Sequence, residues 1–310
     1  MDDRNERYRS FSRYLGDAFG ERVHKIALDA GFSCPNLDGA KGRGGCTYCD
    51  ANGSGPGPRM RGLSVRQQIV RSIEVAERRR PPVRKFLAYF QARTNTYAPA
   101  PRLRVLYDEA LDHPQVVGLD VSTRPDCVPD DVLDLLAEYA ASTHLWLELG
   151  LQSASDDTLR RINRGHGTAD FADAVRRAHE RGLRVAAHVI FGFPWETREM
   201  MMATIDLVAS LGVEGVKLHS LYLVPGTPLH ADAHCVGISQ DEYAALAADA
   251  LERLPPETVV LRLTGDPPPG IAPDPPWTGD KQATIGKIVA ELQRRGTRQG
   301  SRWGKRATRG

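Results

Sequence analysis

A chain of 310 residues can bury a substantial core, either as one large α/β barrel or as two modest domains. Its 41% hydrophobic and 26% charged residues are ordinary for a globular protein and exclude a disordered or fibrous one. The formal net charge of +2 is the small difference between 41 basic and 39 acidic residues, so it indicates no class of partner. No run approaches the roughly 18 apolar residues of a membrane-spanning helix, and the charged start is unlike a secretion signal, which predicts a cytoplasmic protein without membrane contact.

Short apolar runs alternate with amphipathic stretches along the chain, which is the pattern of repeated β-α units around a parallel sheet. Strands are predicted at 24–29, 85–91, 116–121, 145–149, 184–191 and 215–223. Helices are predicted between them at 65–79, 102–111, 129–139, 169–181 and 198–211. Six such units wind right-handedly into an open or closed barrel, so the predicted fold class is α/β.

The chain divides into four predicted segments: a helical lead-in at 1–20, the barrel at 21–230, a small α/β extension at 231–295 and a basic, flexible tail at 296–310. The extension contains a predicted helix at 240–254, a strand at 258–263 and a helix at 281–295. Between Glu291 and Gly310 there are seven basic residues and one acid, a distribution typical of a polyanion-binding tail. A solvated, disordered terminus explains the same residues equally well.

Three of the five cysteines, Cys34, Cys46 and Cys49, follow the first predicted strand and therefore lie on a loop at the face where barrel enzymes place their active sites. An odd number of cysteines without a secretion signal favours metal or redox chemistry over disulfides. Three thiolates are one short of a structural zinc site, whereas a cubane iron–sulfur cluster on three thiolates leaves one iron open to a small ligand. On the cysteines alone, a cluster and a zinc site or redox pair remain equally open.

The motifs that follow the cysteines resemble the radical S-adenosylmethionine (SAM) superfamily, and the resemblance extends over about residues 20–265. The segment Ser122–Asp126 is similar to a Glu-Thr-Arg-Pro-Asp segment of the Elongator catalytic subunit, and Pro225–Leu229 reads Pro-Gly-Thr-Pro-Leu, as in related radical SAM enzymes. The long spacing from Cys34 to Cys46 resembles that of the YhcC-like family of uncharacterised bacterial radical SAM proteins.

This resemblance implies a partial (β/α)6, TIM-like radical SAM barrel with a small C-terminal α/β extension. It also implies a [4Fe–4S] cluster on Cys34, Cys46 and Cys49. The open iron of that cluster binds the amino and carboxylate groups of SAM, and one electron cleaves SAM to a 5′-deoxyadenosyl radical that abstracts hydrogen from the substrate. The electron comes from a donor such as flavodoxin or ferredoxin.

Three further residues are implied as SAM ligands at its methionine end. Gln91 stands where the superfamily has a glycine-rich turn that meets the amino group of SAM. Gln152 and Arg164 match SAM-binding positions of the coproporphyrinogen dehydrogenase branch. Arginine can clamp a carboxylate through two parallel hydrogen bonds, which suits the methionine end.

The adenosine end of SAM is assigned to the next strands. Ser122 replaces the glutamate that contacts SAM in the Elongator relatives, so Glu148 on the neighbouring strand is the predicted acceptor for the ribose diol. His188 stands where the coproporphyrinogen dehydrogenase branch has an aspartate near SAM, although a lone strand histidine is more often a satisfied core residue. The backbone from Ile190 to Gly192 is implied to line the adenine.

Lys217 and His219 occupy alternate positions of one predicted strand and point into the barrel mouth, so they are the predicted catalytic residues, orienting substrate or moving a proton. A plain salt bridge is the alternative for Lys217. The preferred hypothesis is a radical SAM enzyme that modifies the wobble uridine of tRNA, based on the Elongator-like motifs, the basic tail and the basic patch 78–85. The alternatives are a radical SAM enzyme acting on a small metabolite and a non-catalytic zinc-binding protein.

Overall fold

Parallel strands alternate with helices in this computed structural model, which describes residues 6–50, 53, 55, 56, 60, 62–78, 82–267 and 271–304. The strands are β1 (Val23–Leu28), β2 (Lys85–Phe90), β3 (Val116–Thr123), β4 (His144–Gln152), β5 (Val185–Phe191), β6 (Gly215–Ser220) and β7 (Val259–Arg262). The helices are α1 (Phe11–Phe19), α2 (Val65–Glu77), α3 (Ala100–Leu111), α4 (Asp130–Ser142), α5 (Asp156–Arg161), α6 (Thr168–His179), α7 (Arg198–Ser210), α8 (Pro228–Ala231), α9 (Gln240–Arg253) and α10 (Lys281–Arg294).

The strands form one sheet in chain order from β1 to β7, and every neighbouring pair is parallel. Within the described residues no pairing joins β1 to β7, so the sheet curls into an open half-barrel. The predicted α/β partial barrel is therefore confirmed. The sheet differs from the prediction in having a seventh strand, because β7, assigned from sequence to the extension, pairs with β6 and buries Val259 and Val260.

Helices begin where the sequence supplies a hydrogen-bond acceptor for free backbone N–H groups. The Ser64 side chain accepts from the Gln67 backbone N–H, and the Gln67 side chain accepts in return from Ser64, a capping box that fixes the start of α2. Ser155 caps α5 by accepting from the Thr158 N–H. The start of α2 at Val65 agrees with the helix predicted at 65–79. No helix in the described ranges is both long and apolar enough to cross a lipid bilayer.

An apolar plug fills the half-barrel at the N-terminal ends of its strands. Its members come from α1 and from the first inward positions of several strands: Phe11, Leu15, Val23, Leu87, Trp146, Ala186 and Val259. The Phe11 ring meets the Trp146 ring edge-on at 5.8 Å, and the Val260 N–H donates to Arg9 O at 2.8 Å, which ties the lead-in to β7. Because α1 contacts both β1 and β7, the lead-in spans the gap between the two edge strands.

The segment 296–304 packs against the protein, so the expectation of a flexible tail is wrong for these residues. The Gln299 side chain donates to Pro255 O and Thr258 O, both at 2.7 Å, and Arg302 Nε lies 2.7 Å from Glu252 Oε2. The physical reason is that Glu252, which is fully buried on α9, requires cationic partners. Residues 305–310 lie outside the described residues.

We expect His144, beside the apolar plug, to make the fold sensitive to acid. Trp146 Nε1 donates to His144 Nε2 at 3.1 Å, which requires a neutral ring, and burial together with the Arg184 guanidinium lowers the pKa of His144 to about 4 from 6.5. Between pH 4 and pH 6.5 the unfolded chain therefore binds more protons at His144 than the folded chain does. The stabilisation of the fold by neutral His144 is complete above about pH 6.5 and is lost as pH falls towards 4.

We expect His144→Gln to reduce the acid sensitivity of folding, because glutamine can accept from Trp146 without titrating. The free energy of unfolding in urea, measured at about pH 7 and about pH 5, should fall more for the wild type than for the variant. Equal losses in the two proteins would show that His144 does not govern acid stability.

Candidate active site

A cavity of about 1180 Å³ extends from the cysteine loop into the half-barrel. This volume exceeds the roughly 300–1,000 Å³ of a site for one small molecule, so there is room for a cofactor and part of a substrate. Most of the predicted site residues line it: Cys34, Cys46, Cys49, Gln91, Gln152, Arg164, His188, Lys217 and His219. The structure thus brings together residues of β4, β5 and β6 with Gln91 after β2, Arg164 after α5 and the loop after β1.

The cysteine loop is held in place by backbone hydrogen bonds. Cys49 N–H donates to Cys46 O at 3.0 Å, and Thr47 N–H donates to Ile162 O, also at 3.0 Å, which fastens the loop to the end of α5. Gly45, just before Cys46, has a φ of +76°, a conformation that glycine adopts without strain. The tight turn therefore presents Cys46 and Cys49 to the same cavity.

The three thiols do not form a site for a single metal ion in the described residues. Burial, followed by the nearby Cys46, raises the pKa of the Cys49 thiol to about 12, and a bound metal centre reverses this because coordinating thiols are deprotonated. Across the described ranges, no three Cys, His, Asp or Glu side chains converge as ligands of a single ion. In a cubane each thiolate binds a different iron, so its ligands do not need to converge on one point.

Two buried donors point at the Cys46 sulfur. Arg164 Nη1 lies 3.6 Å and Asn36 Nδ2 lies 3.7 Å from Cys46 Sγ. Asn36 is fully buried and also donates to Asn163 O at 2.6 Å, which fixes its amide. Hydrogen bonds to ligand sulfurs tune the reduction potential of a cluster, so these residues support Cys46 as a ligand.

A layer of ionisable side chains crosses the barrel between the apolar plug and the cysteine loop. It takes one residue from each described strand: Lys25, Tyr89, Asp120, Glu148, His188, Lys217 and Arg262. Lys25 Nζ lies 2.8 Å from Glu148 Oε1, and Lys217 Nζ lies 2.7 Å from Glu148 Oε2. Tyr89 OH donates to Glu148 Oε2 at 2.9 Å, and Lys25 is ion-paired with Asp120. Glu148 is the hub of this network.

Burial and charge oppose each other within the layer. Burial alone favours a neutral Glu148, but the charges of Lys217 and Lys25 outweigh it and hold the pKa of this carboxyl well below its ordinary value. Burial, with Glu148 nearby, raises the pKa of Asp120 to about 7. Burial lowers the pKa of Lys217 to about 8 despite the attraction of Glu148. Within this network the pKa values of Asp120 and Lys217 therefore lie nearest to neutral pH, whereas burial of Lys25 is outweighed by its carboxylate partners, which raise its pKa above the ordinary value.

Three residues predicted to contact the cofactor do not line the cavity in the structure. Glu148, the predicted ribose acceptor, does not line the cavity, and both its oxygens are engaged by Lys25, Lys217 and Tyr89. Ile190 and Gly192 are also absent from the cavity wall, and Ile190 packs in an apolar cluster with Phe193. The salt bridge weighed as an alternative for Lys217 is present.

Arg164 and His188 keep groups that face the cavity. Besides Cys46, Arg164 donates from Nη2 to Gly150 O at 2.8 Å, while its Nε is buried and has no hydrogen-bond partner among the described residues. His188 Nε2 is likewise buried and unpartnered within the described part of the chain, so His188 is not the satisfied core residue considered above. Arg164 remains a predicted SAM ligand, whereas His188 lies beside Lys217 in the ionisable layer and is open to the substrate as well.

Sequence reasoning missed Asn36, Asp120 and Arg262. Asp120 and Arg262 lie at inward positions of β3 and β7. Because side chains alternate between the two faces of a strand, these positions could have been predicted once the register was known. Asn36 lies two residues after Cys34 in the loop and carries no family signature noted from the sequence.

Comparison of the sequence with known protein families identifies the family of this chain. Residues 40–208 match the model of the radical SAM superfamily. The chain belongs to the radical SAM superfamily. Residues 213–294 match the radical SAM C-terminal domain, which includes β7 and α9. Membership implies a [4Fe–4S] cluster and SAM, and the three cysteines with the donors to Cys46 fit the cluster.

Relatives in the superfamily include YtqA of Bacillus subtilis, 42% identical over 300 residues, which covers 95% of this chain and 92% of YtqA. YhcC of Escherichia coli K12 is 40% identical over 279 residues, covering 87% of this chain and 88% of YhcC. The predicted relation to YhcC is therefore confirmed. A tRNA uridine(34) acetyltransferase of Dehalococcoides mccartyi is 28% identical over 167 residues, or 52% of this chain and 36% of that protein.

The fold has a solved counterpart. Elp3 of the archaeon Methanocaldococcus infernus superposes with a TM-score of 0.62 at 16% identity, covering 91% of this chain and 64% of that chain. At this identity the similarity shows the fold alone, and it agrees with the partial barrel described above.

Proposed function

We propose that this radical SAM enzyme acts on the wobble uridine of tRNA. The observation that carries the proposal is the cavity, which joins three cysteines at its mouth to a polar barrel interior and has room for SAM and a splayed-out base together. An enzyme whose reactive site lies inside a barrel must take its target base out of the stack. The similarity to a protein named tRNA uridine(34) acetyltransferase supports tRNA as the substrate class.

Residues of this chain take the following roles in the proposal. Cys34, Cys46 and Cys49 hold the [4Fe–4S] cluster, and Asn36 and Arg164 donate to the Cys46 sulfur. The cluster and SAM together, when bound, supply a 5′-deoxyadenosyl radical. The proposed SAM ligands are Gln91, Gln152 and Arg164, with Glu148 as a ribose acceptor only if its ion pairs rearrange, whereas Ile190 and Gly192 lie outside the cavity wall.

On the substrate side, we propose that Lys217 orients the base and that His219 moves a proton. Lys217 is fixed by Glu148 at 2.7 Å, so its ammonium group has one set position in the cavity wall. His219 donates from Nδ1 to Ser220 O at 2.6 Å, which leaves Nε2 as the acceptor. An electron donor such as flavodoxin or ferredoxin completes the proposal.

The basic surface gives less support than the sequence suggested. Arg295 and Arg302, from the predicted polyanion-binding run, form ion pairs with Asp249 and Glu252 on α9. Residues 79–81 of the predicted basic patch lie outside the described residues. The tRNA proposal therefore depends on the cavity and on the relatives, and phosphate contacts have to be measured directly.

We expect purified protein to bind tRNA with an affinity that falls as salt rises, because phosphate contacts release counterions. A deletion strain should show altered wobble-uridine nucleosides when its total tRNA is digested and analysed by mass spectrometry. The binding assay compares two tRNA samples, an unmodified transcript and tRNA isolated from the deletion strain. If binding is insensitive to salt and the nucleoside profile is unchanged, the tRNA proposal is wrong and a small metabolite becomes the substrate to seek.

A further inference from the structure

We propose that Arg262 binds an acidic group of the substrate, a carboxylate or a phosphate, inside the barrel, with His188 as a second donor and His219 beside the subsite. The inference rests on the proposed function in one respect, namely that the cavity holds a substrate beside SAM. Arg262 is the β7 member of the ionisable layer and lines the same cavity as the cysteines.

The charges of the layer do not cancel. Lys25, Lys217 and Arg262 supply three cations, whereas Asp120 and Glu148 supply two carboxylates, and both carboxylates are ion-paired with the lysines. Among the described residues Arg262 has no ion pair, and its buried Nε has no hydrogen-bond partner. Arg262 is half-buried and lines the cavity, so a guanidinium without a counter-charge at this position favours an anionic ligand.

The sheet places Arg262 beside the proposed catalytic residues. The register pairs Arg262 with Lys217 across β6 and β7, and pairs Lys217 with His188 across β5 and β6. The charge of Arg262 contributes to lowering the pKa of His188, His219 and Lys217, although burial is the largest cause for each of them. Arg262 therefore acts on the part of the cavity where the substrate is proposed to react.

The two histidines offer hydrogen-bonding groups beside the guanidinium. Their rings lie 5.4 Å apart, and burial holds the pKa of each well below its ordinary value, so both are neutral at pH 7. His188 Nε2 is buried and unpartnered in the described structure. His219 already donates its Nδ1 proton to Ser220 O, so His188 is the imidazole that can donate an N–H to an oxyanion, and a guanidinium can bind the same oxyanion with two parallel hydrogen bonds. This combination recognises a carboxylate or a phosphate.

The position of the subsite favours the substrate over the carboxylate of SAM. Arg262 lies in the layer of Lys217 and Glu148, next to the apolar plug, whereas Arg124 and Arg164 line the cavity near the cysteines. Arg164 touches Cys46 directly, and Arg124 has a buried Nη1 without a partner among the described residues. The methionine end of SAM therefore has its own guanidinium groups, and Arg262 serves a second anion.

The test measures anion binding by the reconstituted full-length protein without turnover. Carbon-13 labelled histidine rings are observed by NMR, the signals of His188 and His219 are assigned with His→Gln variants, and acetate, inorganic phosphate or neutral acetamide is added at constant ionic strength. We expect one or both oxyanions, but not acetamide, to shift the two signals to saturation. The oxyanion with the higher affinity identifies the acidic group as a carboxylate or a phosphate.

Variants decide whether Arg262 is responsible. Arg262→Gln should weaken oxyanion binding by about tenfold or more, and Arg262→Lys should restore part of it, because lysine keeps the charge but loses the planar fork. Arg184→Gln, which removes an arginine outside this cavity, is the matched control and should bind like the wild type. Unshifted signals in the wild type, or unchanged affinity in Arg262→Gln, overturn the proposal.

Saturating SAM shows whether the subsite binds the substrate or the carboxylate of SAM. Oxyanion-induced shifts that persist with SAM bound support a substrate subsite, whereas their disappearance assigns Arg262 to the SAM carboxylate and overturns the inference. No step of this experiment uses RNA. A negative tRNA result combined with Arg262-dependent binding therefore refutes the proposed tRNA substrate alone, and the reverse combination refutes the subsite alone.

Discussion

Cys46→Ala is expected to reduce iron and sulfide binding to background and to abolish SAM cleavage while the barrel remains folded. The variant removes one of three ligands and the acceptor of the Arg164 and Asn36 hydrogen bonds. The sheet should survive, because its core consists of apolar strand and helix residues rather than of the cysteine loop. Iron and sulfide are measured after oxygen-free reconstitution, and folding is measured by circular dichroism and thermal melting.

Cys235→Ala is the matched control for this experiment. Cys235 is also buried, but it packs in an apolar cluster with Leu223 and does not line the cavity. This variant should keep the iron content and the activity of the wild type. Full iron loading of Cys46→Ala, or global unfolding of it, would contradict the assignment of Cys46 as a ligand on an independently folded barrel.

Glu148→Gln is expected to destabilise the folded protein by about 3–5 kcal/mol, the usual cost of leaving a buried charge without its partner. Lys217 loses its carboxylate altogether, while Lys25 keeps Asp120. The free energy of unfolding in urea measures the effect. Tyr89→Phe, which removes one hydrogen bond to Glu148, should cost only about 1 kcal/mol.

A double variant shows whether the cost comes from the ion pair itself. Lys217→Met combined with Glu148→Gln removes both charges, so it should regain much of the stability that Glu148→Gln loses. If Glu148→Gln is as stable as the wild type but binds SAM more weakly, Glu148 serves the ribose, as the sequence predicted, and the ion-pair hub is wrong.

The pattern of strands, helices and cysteines could be predicted because it depends on local signals. Alternating apolar runs, amphipathic stretches and the order of β-α units are all visible within short stretches of sequence. The cysteine loop was predictable for the same reason, since a loop after the first strand of a barrel must lie at its C-terminal face. The resemblance of the motifs to the radical SAM superfamily then indicated SAM and a [4Fe–4S] cluster as the cofactors.

What could not be predicted depends on contacts between distant strands. The pairing of Glu148 with Lys25 and Lys217 requires the register of β1, β4 and β6, which no local pattern contains. The basic residues near the C-terminus suggested a free tail for the same reason. Their partner, the buried Glu252, lies more than forty residues earlier in the chain, so no local pattern shows the ion pair. Arg262 belongs to no motif, and its importance follows only from the charges around it.

Release of 5′-deoxyadenosine tests the central claim most directly. Wild-type protein is reconstituted with iron and sulfide without oxygen, reduced, and given SAM, and the products are separated by chromatography. The account predicts a cubane cluster that cleaves SAM to 5′-deoxyadenosine and methionine, in wild type and Cys235→Ala but not in Cys46→Ala. A preparation that binds zinc instead of iron and sulfide, or a loaded cluster that leaves SAM intact, contradicts it.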